Sequence, residues 1–128
     1  MADKKLLDAC GNGNLNDVKS ALHNGAKITC QDYFGYNPLM TALINNQEHI
    51  VTFLLDAFAD QSELFKQVSC GRDTALHFTA RCKSERNVKM IAQRTENINQ
   101  LDCYQRTPLD DAVDNNNIAA VRVLLRFL

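Results

Sequence analysis

Asn37-Pro38-Leu39-Met40-Thr41-Ala42, Thr74-Ala75-Leu76-His77-Phe78-Thr79-Ala80 and Thr107-Pro108-Leu109-Asp110-Asp111-Ala112 are three versions of one phrase. Their leucines stand at 39, 76 and 109, so the spacings are 37 and 33 residues. Outward from these phrases the match continues: Asp32 and Gly35 precede the first, Ile50-Val51 and Leu54-Leu55 follow it, and Val121 with Leu124-Leu125 follows the third. A degenerate earlier copy runs through Leu6, Ala9, Gly13-Asn14, Val18, Leu22 and Gly25-Ala26-Lys27. A chain that repeats at this period is built of units that bury their apolar faces only by stacking on one another, and that decides the fold.

Each recurring residue has a physical task. Thr107 and Asn37 can cap the helices that Pro108 and Pro38 begin, since a proline in the first turn loses no useful N–H and has its φ preset. Ala42, Ala80 and Ala112 are small where a short first helix must approach its neighbours. Gly13 and Gly25 stand where a helix ends and the chain must turn through left-handed backbone geometry. Thirty-three residues is the period of the ankyrin repeat, and the chain resembles that family over residues 4 to 128, as four repeats. The resemblance implies an all-α fold, an ankyrin-repeat solenoid of helix-turn-helix units with short hairpin loops, in a single domain 1–128 divided at approximately 1–31, 32–68, 69–101 and 102–128.

The departures from the pattern are as readable. Lys83 and Thr95 stand where glycine is usual and Ala92 where a second leucine is usual, so the third repeat is expected to be the least regular. The extra residues of the longer spacing fall between Asp60 and Ser69, in Gln61-Ser62-Glu63-Leu64-Phe65-Lys66-Gln67-Val68, where an insertion is expected to lengthen a loop. Leu64 and Phe65 either tuck against the second helix or stand exposed as a contact point.

The two ends differ. In the second repeat Ile50, Phe53 and Ala57 form one apolar arc that Val51, Leu54, Leu55 and Phe58 extend, which predicts a helix covered on both sides. The first repeat has Asp17, Ser20 and Asn24 at the matching positions, a polar outer side that reads as an N-terminal cap. Ile118, Val121, Leu125 and Leu128 make a continuous apolar stripe on the last helix, broken only by Arg122 and Arg126. That stripe is expected to meet a second copy of the chain or a downstream domain, unless part of it packs within its own repeat.

Composition narrows the function. Fourteen Lys and Arg against fifteen Asp and Glu give a net charge of −1, which removes the long-range field that nucleic-acid or anionic-membrane binding uses. The start, Met-Ala-Asp-Lys-Lys then Leu6-Leu7-Asp8, lacks a signal-peptide apolar core, and no apolar run approaches the roughly 20 residues of a membrane span. Cys10, Cys30, Cys70, Cys82 and Cys103 form no CxxC pair, and an odd count without a signal fits reduced thiols and a cytoplasmic location. His77 with Cys70 and Cys82 offers zinc-type ligands at spacings that match no compact ligand pair. The family resemblance instead gives His77 a structural role, bonding backbone between adjacent hairpins. Adjacent Asp110 and Asp111 diverge by about 100° on a helix and make no facing carboxylate pair. Gly11, Gly13, Gly25, Gly35 and Gly71 are dispersed and form no phosphate loop.

No catalytic role, metal or cofactor is expected, and the resemblance implies a module that binds another protein on its concave hairpin and first-helix face, about 40 Å long at ~10 Å per layer. The residues so implied are Tyr33, Phe34 and Tyr36 with Ile44 and Asn45 in the second repeat, and Arg72, Asp73, Arg81 and Cys82 in the third. In the fourth they are Cys103, Tyr104, Arg106, Asp114 and Asn115. Of the three clustered aromatics, Phe34 is expected to pack beneath its loop. The alternatives are a targeting or regulatory N-terminal segment of a larger enzyme or effector, and a self-associating ankyrin protein.

Overall fold

The computed structural model describes residues 1–57 and 62–128. Phe58, Asp60 and Gln61, which the sequence places on the second repeat's apolar arc and at the start of the insertion, lie outside the described residues. The described residues form helices and turns with no strand. In chain order the helices are α1 (Ala2–Asn12), α2 (Leu15–His23), α3 (Pro38–Ile44), α4 (Glu48–Ala57), α5 (Ser62–Lys66), α6 (Ala75–Ala80), α7 (Glu85–Arg94), α8 (Pro108–Asp114) and α9 (Ile118–Arg126).

α3 and α8 begin at the caps read from the sequence, Asn37 and Thr107, and α6 begins at an equivalent cap, Thr74. Asn37 Oδ1 accepts the Met40 amide at 2.8 Å, and Thr74 and Thr107 accept the amides of His77 and Asp110 from the same position. In the last two repeats the cap is reciprocal, because His77 Nδ1 and Asp110 Oδ2 accept the amides of Thr74 and Thr107. The helices are short, so packing rather than propensity must hold them. α1 packs on α3, α3 on α6 and α6 on α8, while α4, α7 and α9 follow one another in the second layer. A single continuous core results, with Leu6, Leu39, Met40, Leu43, Leu76 and Phe78 almost wholly excluded from solvent.

The expectations about register need refinement. With the leucines superposed, Thr79 rather than Ala80 shares the place of Ala42 and Ala112. Its hydroxyl is satisfied by donation to the Leu76 carbonyl at 2.6 Å. Ala80 shares the place of Leu43 and Val113, and both Thr79 and Ala80 are buried. α4 is not covered along its whole arc either: Ile50, Val51, Leu54 and Leu55 are buried, Phe53 is half-buried under Lys19, and Ala57 is exposed.

The third repeat is irregular for the expected reason. Gly13, Asn46 and Asn116 occupy the turn between paired helices with φ of 77°, 56° and 53°. Lys83, at the matching place, is not among the positive-φ residues. α6 accordingly has six residues where α3 and α8 have seven. Farther on, the buried Asn87 side chain has no hydrogen-bond partner among the described residues, at the register that Ile50 fills in the repeat before.

The insertion is not a simple loop. Residues 62–66 turn into α5, which buries Leu64 and half-buries Phe65. Asn37 Nδ2 donates to the Leu64 carbonyl at 3.3 Å and to Gln67 Oε1 at 2.9 Å, and Gln67 Nε2 donates to the Thr29 carbonyl at 2.7 Å. Leu64 is therefore core, and the contact-point reading of it is excluded.

Candidate functional site: the hairpin row and first-helix face

Three hairpins share one construction. An oxygen of Asp32, Ser69 or Asp102 accepts amide hydrogen bonds from the residues that follow: Phe34 and Tyr36, Asp73, and Tyr104 and Arg106 respectively. The corner residues Gly35, Arg72 and Gln105 all take positive φ. Successive tips are then joined by backbone, with the Cys70 amide donating to the Phe34 carbonyl and the Cys103 amide to the Gly71 carbonyl, each at 2.9 Å. His77 adds a side-chain strut. Because its Nδ1 accepts from the Thr74 amide, its Nε2 carries the proton and donates to the Arg106 carbonyl at 2.9 Å, the inter-hairpin role that the family resemblance implies.

On this row Tyr33 is 93% exposed, Tyr104 80% and Phe34 61%. The aromatic that packs inward is Tyr36, not Phe34: its ring meets Phe78 edge-on at 5.0 Å between centroids, and Phe34 lies between it and Tyr33. Ile44 and Asn45 are exposed at the end of α3, where the Asn45 side chain donates to the Thr41 carbonyl. Arg72, Cys103, Asp114 and Asn115 are exposed. Cys82 is not available to a partner. It is 2% exposed and its thiol donates to the carbonyls of Leu43 and Phe78, so it belongs to the stack's interior.

An ion-pair network that spacing alone did not reveal ties the third and fourth repeats beneath this face. Arg81 bridges Asp73 at 3.0 Å and Asp111 at 2.9 Å, and lies over the Phe78 ring. Arg106 reaches Asp111 at 3.4 Å and also pairs with Asp114. Burial disfavours the charged Arg81, but the hydrogen bonds and charges of Asp73 and Asp111 outweigh it and raise its pKa. Burial likewise pushes the Asp102 carboxyl up, and the Arg106 and Tyr104 amides more than reverse this, holding it below the usual carboxylate range. Asp73, His77, Asp102 and Asp111 present ligand-type atoms within 4.8 Å of one another, the grouping a metal would need. Their atoms are committed otherwise: both His77 nitrogens to backbone, Asp102 to amides, and the other two carboxylates to Arg81. The arrangement is chemically a structural network. Burial also pushes the thiols of Cys10 and Cys82 up to about 12 and that of Cys30 to about 11, which suits none of them to nucleophilic chemistry.

Stacked helix pairs with ladder-joined hairpins define a helical repeat solenoid with a preformed surface along one side. The ankyrin-repeat family model matches residues 6–102 and 61–127, and the chain belongs to that family. Inversin from dog is 30% identical over 119 residues, which are 89% of this chain and 11% of inversin. The protein described as putative E3 ubiquitin-protein ligase XBAT34 from Arabidopsis thaliana is 27% identical over 122 residues, 95% of this chain and 32% of that protein. The chain thus spans a third or less of these relatives. No helix among the described residues is long and apolar enough to cross a membrane.

Proposed function

We propose that this chain is a single domain of four repeats, divided near residues 31, 68 and 101, that binds a protein through its hairpin row and first-helix face without catalysing a reaction. The observation that carries the proposal is the row of apolar side chains Tyr33, Phe34 and Tyr104 standing 61 to 93% exposed on hairpins whose backbones are already locked together. Large aromatics on a rigid scaffold supply much contact area at a low ordering cost, one reason that Tyr is enriched among the residues that carry binding energy at interfaces. Exposed Gln105 and the Arg106–Asp114 pair follow Tyr104 in the chain and supply polar groups in the same repeat. Ankyrin repeats generally mediate such binding, and Cys82 is withdrawn from the contact set.

The experiment is a quantitative pull-down from the source cells, comparing the native chain with a Tyr33→Ala, Tyr104→Ala double variant. Both rings are exposed, so the fold should persist, and loss of central anchors at about 2 kcal/mol or more predicts at least ~tenfold weaker capture of the specific partner. Undiminished capture would place the binding surface elsewhere.

A second reading concerns the C-terminal end. Leu125 is 56% exposed where Leu55 and Ala92, in the same register, are buried, and Val113 is 58% exposed where Leu43 and Ala80 are buried. With Ile118 and Leu128 also exposed, these residues favour contact with a second copy or a downstream segment of a longer protein. The stripe position Val121 is half-buried and contributes less.

A further inference from the structure

We propose that a second binding site, separate from the hairpin row, lies in the cleft that the insertion creates, and that its ligand is an extended acidic peptide carrying one bulky apolar side chain. The cleft has a volume of about 670 Å³ and opens between α5, the hairpin at residues 69–73, the start of α6 and the segment 94–100. One wall is made of insertion residues, Phe65, Lys66 and Val68 among them, so the cavity is a property of this chain and not of a uniform repeat stack. Its apolar floor includes half-buried Phe65, 36%-exposed Val68 and buried Leu76. A floor of this kind takes an aromatic or branched aliphatic side chain.

The rim selects the sign of the ligand. Lys66, Arg72 and Arg94 line the cleft against one carboxylate, Glu96, in a chain whose overall charge is −1. None of the three cations has an ion-pair partner among the described residues; Arg94 donates only to the Met90 carbonyl of its own helix. Unneutralised cations grouped around an apolar floor give electrostatic complementarity to acidic residues flanking an apolar one. The three come from three separate elements, α5, a hairpin tip and the end of α7, so a single small anion cannot engage them as a chain of several carboxylates can. Asn97 and Gln100, also in the lining, offer amides to the backbone of such a segment.

The test is fluorescence anisotropy with the full chain and a fluorescein-labelled, unstructured peptide in which one phenylalanine is flanked on both sides by aspartates and glutamates. Binding should saturate, weaken with added salt, and fall at least ~tenfold in the Lys66→Glu, Arg94→Glu variant. Lys66→Gln should give a smaller loss in the same direction, and thermal melting should show both variants folded, since the altered side chains are exposed. The Tyr33→Ala, Tyr104→Ala variant should bind the peptide normally, which separates this site from the hairpin face. Amide shifts in NMR should concentrate in residues 62–68, 72–76 and 94–100. The proposal is overturned if binding does not saturate, if the charge-reversed variant keeps its affinity, or if shifts gather around Tyr33 and Tyr104 instead. It is overturned equally if a peptide with glycine for phenylalanine binds as well, or if inorganic polyphosphate displaces the peptide at matching charge, since the cleft would then act as a plain anion site.

Discussion

Gly35, Arg72 and Gln105 hold the same left-handed corner in three hairpins, yet they are not interchangeable. A methyl group on Gly35 would stand 2.7 Å from the Cys70 backbone nitrogen, the atom that donates to the Phe34 carbonyl and joins the two tips. Gly35→Ala combines this clash with an unfavourable φ of 80° and is expected to destabilise the chain by about 1–3 kcal/mol, read from urea unfolding. A loss under ~0.5 kcal/mol would mean that the tips are not rigidly joined. Asp102 carries the acid sensitivity of the last hairpin. Its folded pKa is lowered, so its contribution is complete above the unfolded carboxylate value near 4 and is lost as pH falls through that value and below. Asp102→Asn should therefore differ most from the native chain in unfolding midpoint at neutral pH, and the two curves should converge as pH falls below the ordinary carboxylate range. Divergence on acidification would contradict the assignment. Asp32 and Gly35 were legible in the sequence because a hairpin is local, the oxygen and the amides that it accepts being two to four residues apart, whereas Asp102, which repeats the arrangement, was not singled out there.

At the scale of elements, legibility ends where contacts become long-range or phases ambiguous. The cap residues Asn37 and Thr107 announced α3 and α8, and the glycine at 13 announced the turn before α2. α5 could not be read, since five residues contain too little of a 3.6-residue period to distinguish a helix from a loop. Tyr36 rather than Phe34 packs inward because Phe78, 42 positions onward, supplies the surface, and nothing local encodes that. The Arg81 network was hidden for the same reason, Arg81 and Asp111 being 30 residues apart. Arg81 joins hairpin, α6 and α8, and its side chain is 30% exposed. Its removal leaves Asp111, 8% exposed, with only the longer contact to Arg106. Arg81→Ala is expected to cost about 1–3 kcal/mol, between the values for surface and buried pairs. Hydrogen exchange should show that cost concentrated in residues 69–82 and 102–114. A uniform change along the chain would show that the network does not specifically couple these repeats.

The whole molecule is asymmetric. Its first repeat turns Asp17, Ser20 and Asn24 to water, as a cap should, whereas α9 turns out Ile118, Leu125 and, just beyond it, Leu128. Covering these side chains would remove on the order of 100 to 200 Å² of apolar surface, about 2 to 5 kcal/mol at ~25 cal/mol per Å². An Ile118→Glu, Leu125→Gln variant should keep the melting temperature of the isolated chain within a few degrees. In sedimentation velocity it should abolish any concentration-dependent dimer. A large loss of stability in a strictly monomeric chain would assign the stripe to the internal core. The central claim, that the hairpin and first-helix side receives a protein partner, is tested most directly by site-specific photocrosslinking in the source cells. A photoreactive residue is placed in turn at Tyr33, Ile44 and Tyr104 on one side and at Thr52, Asp56 and Lys89 on the other. One protein should be captured from the first three positions and not from the second three; capture of a common partner from Thr52, Asp56 and Lys89 alone would contradict the account.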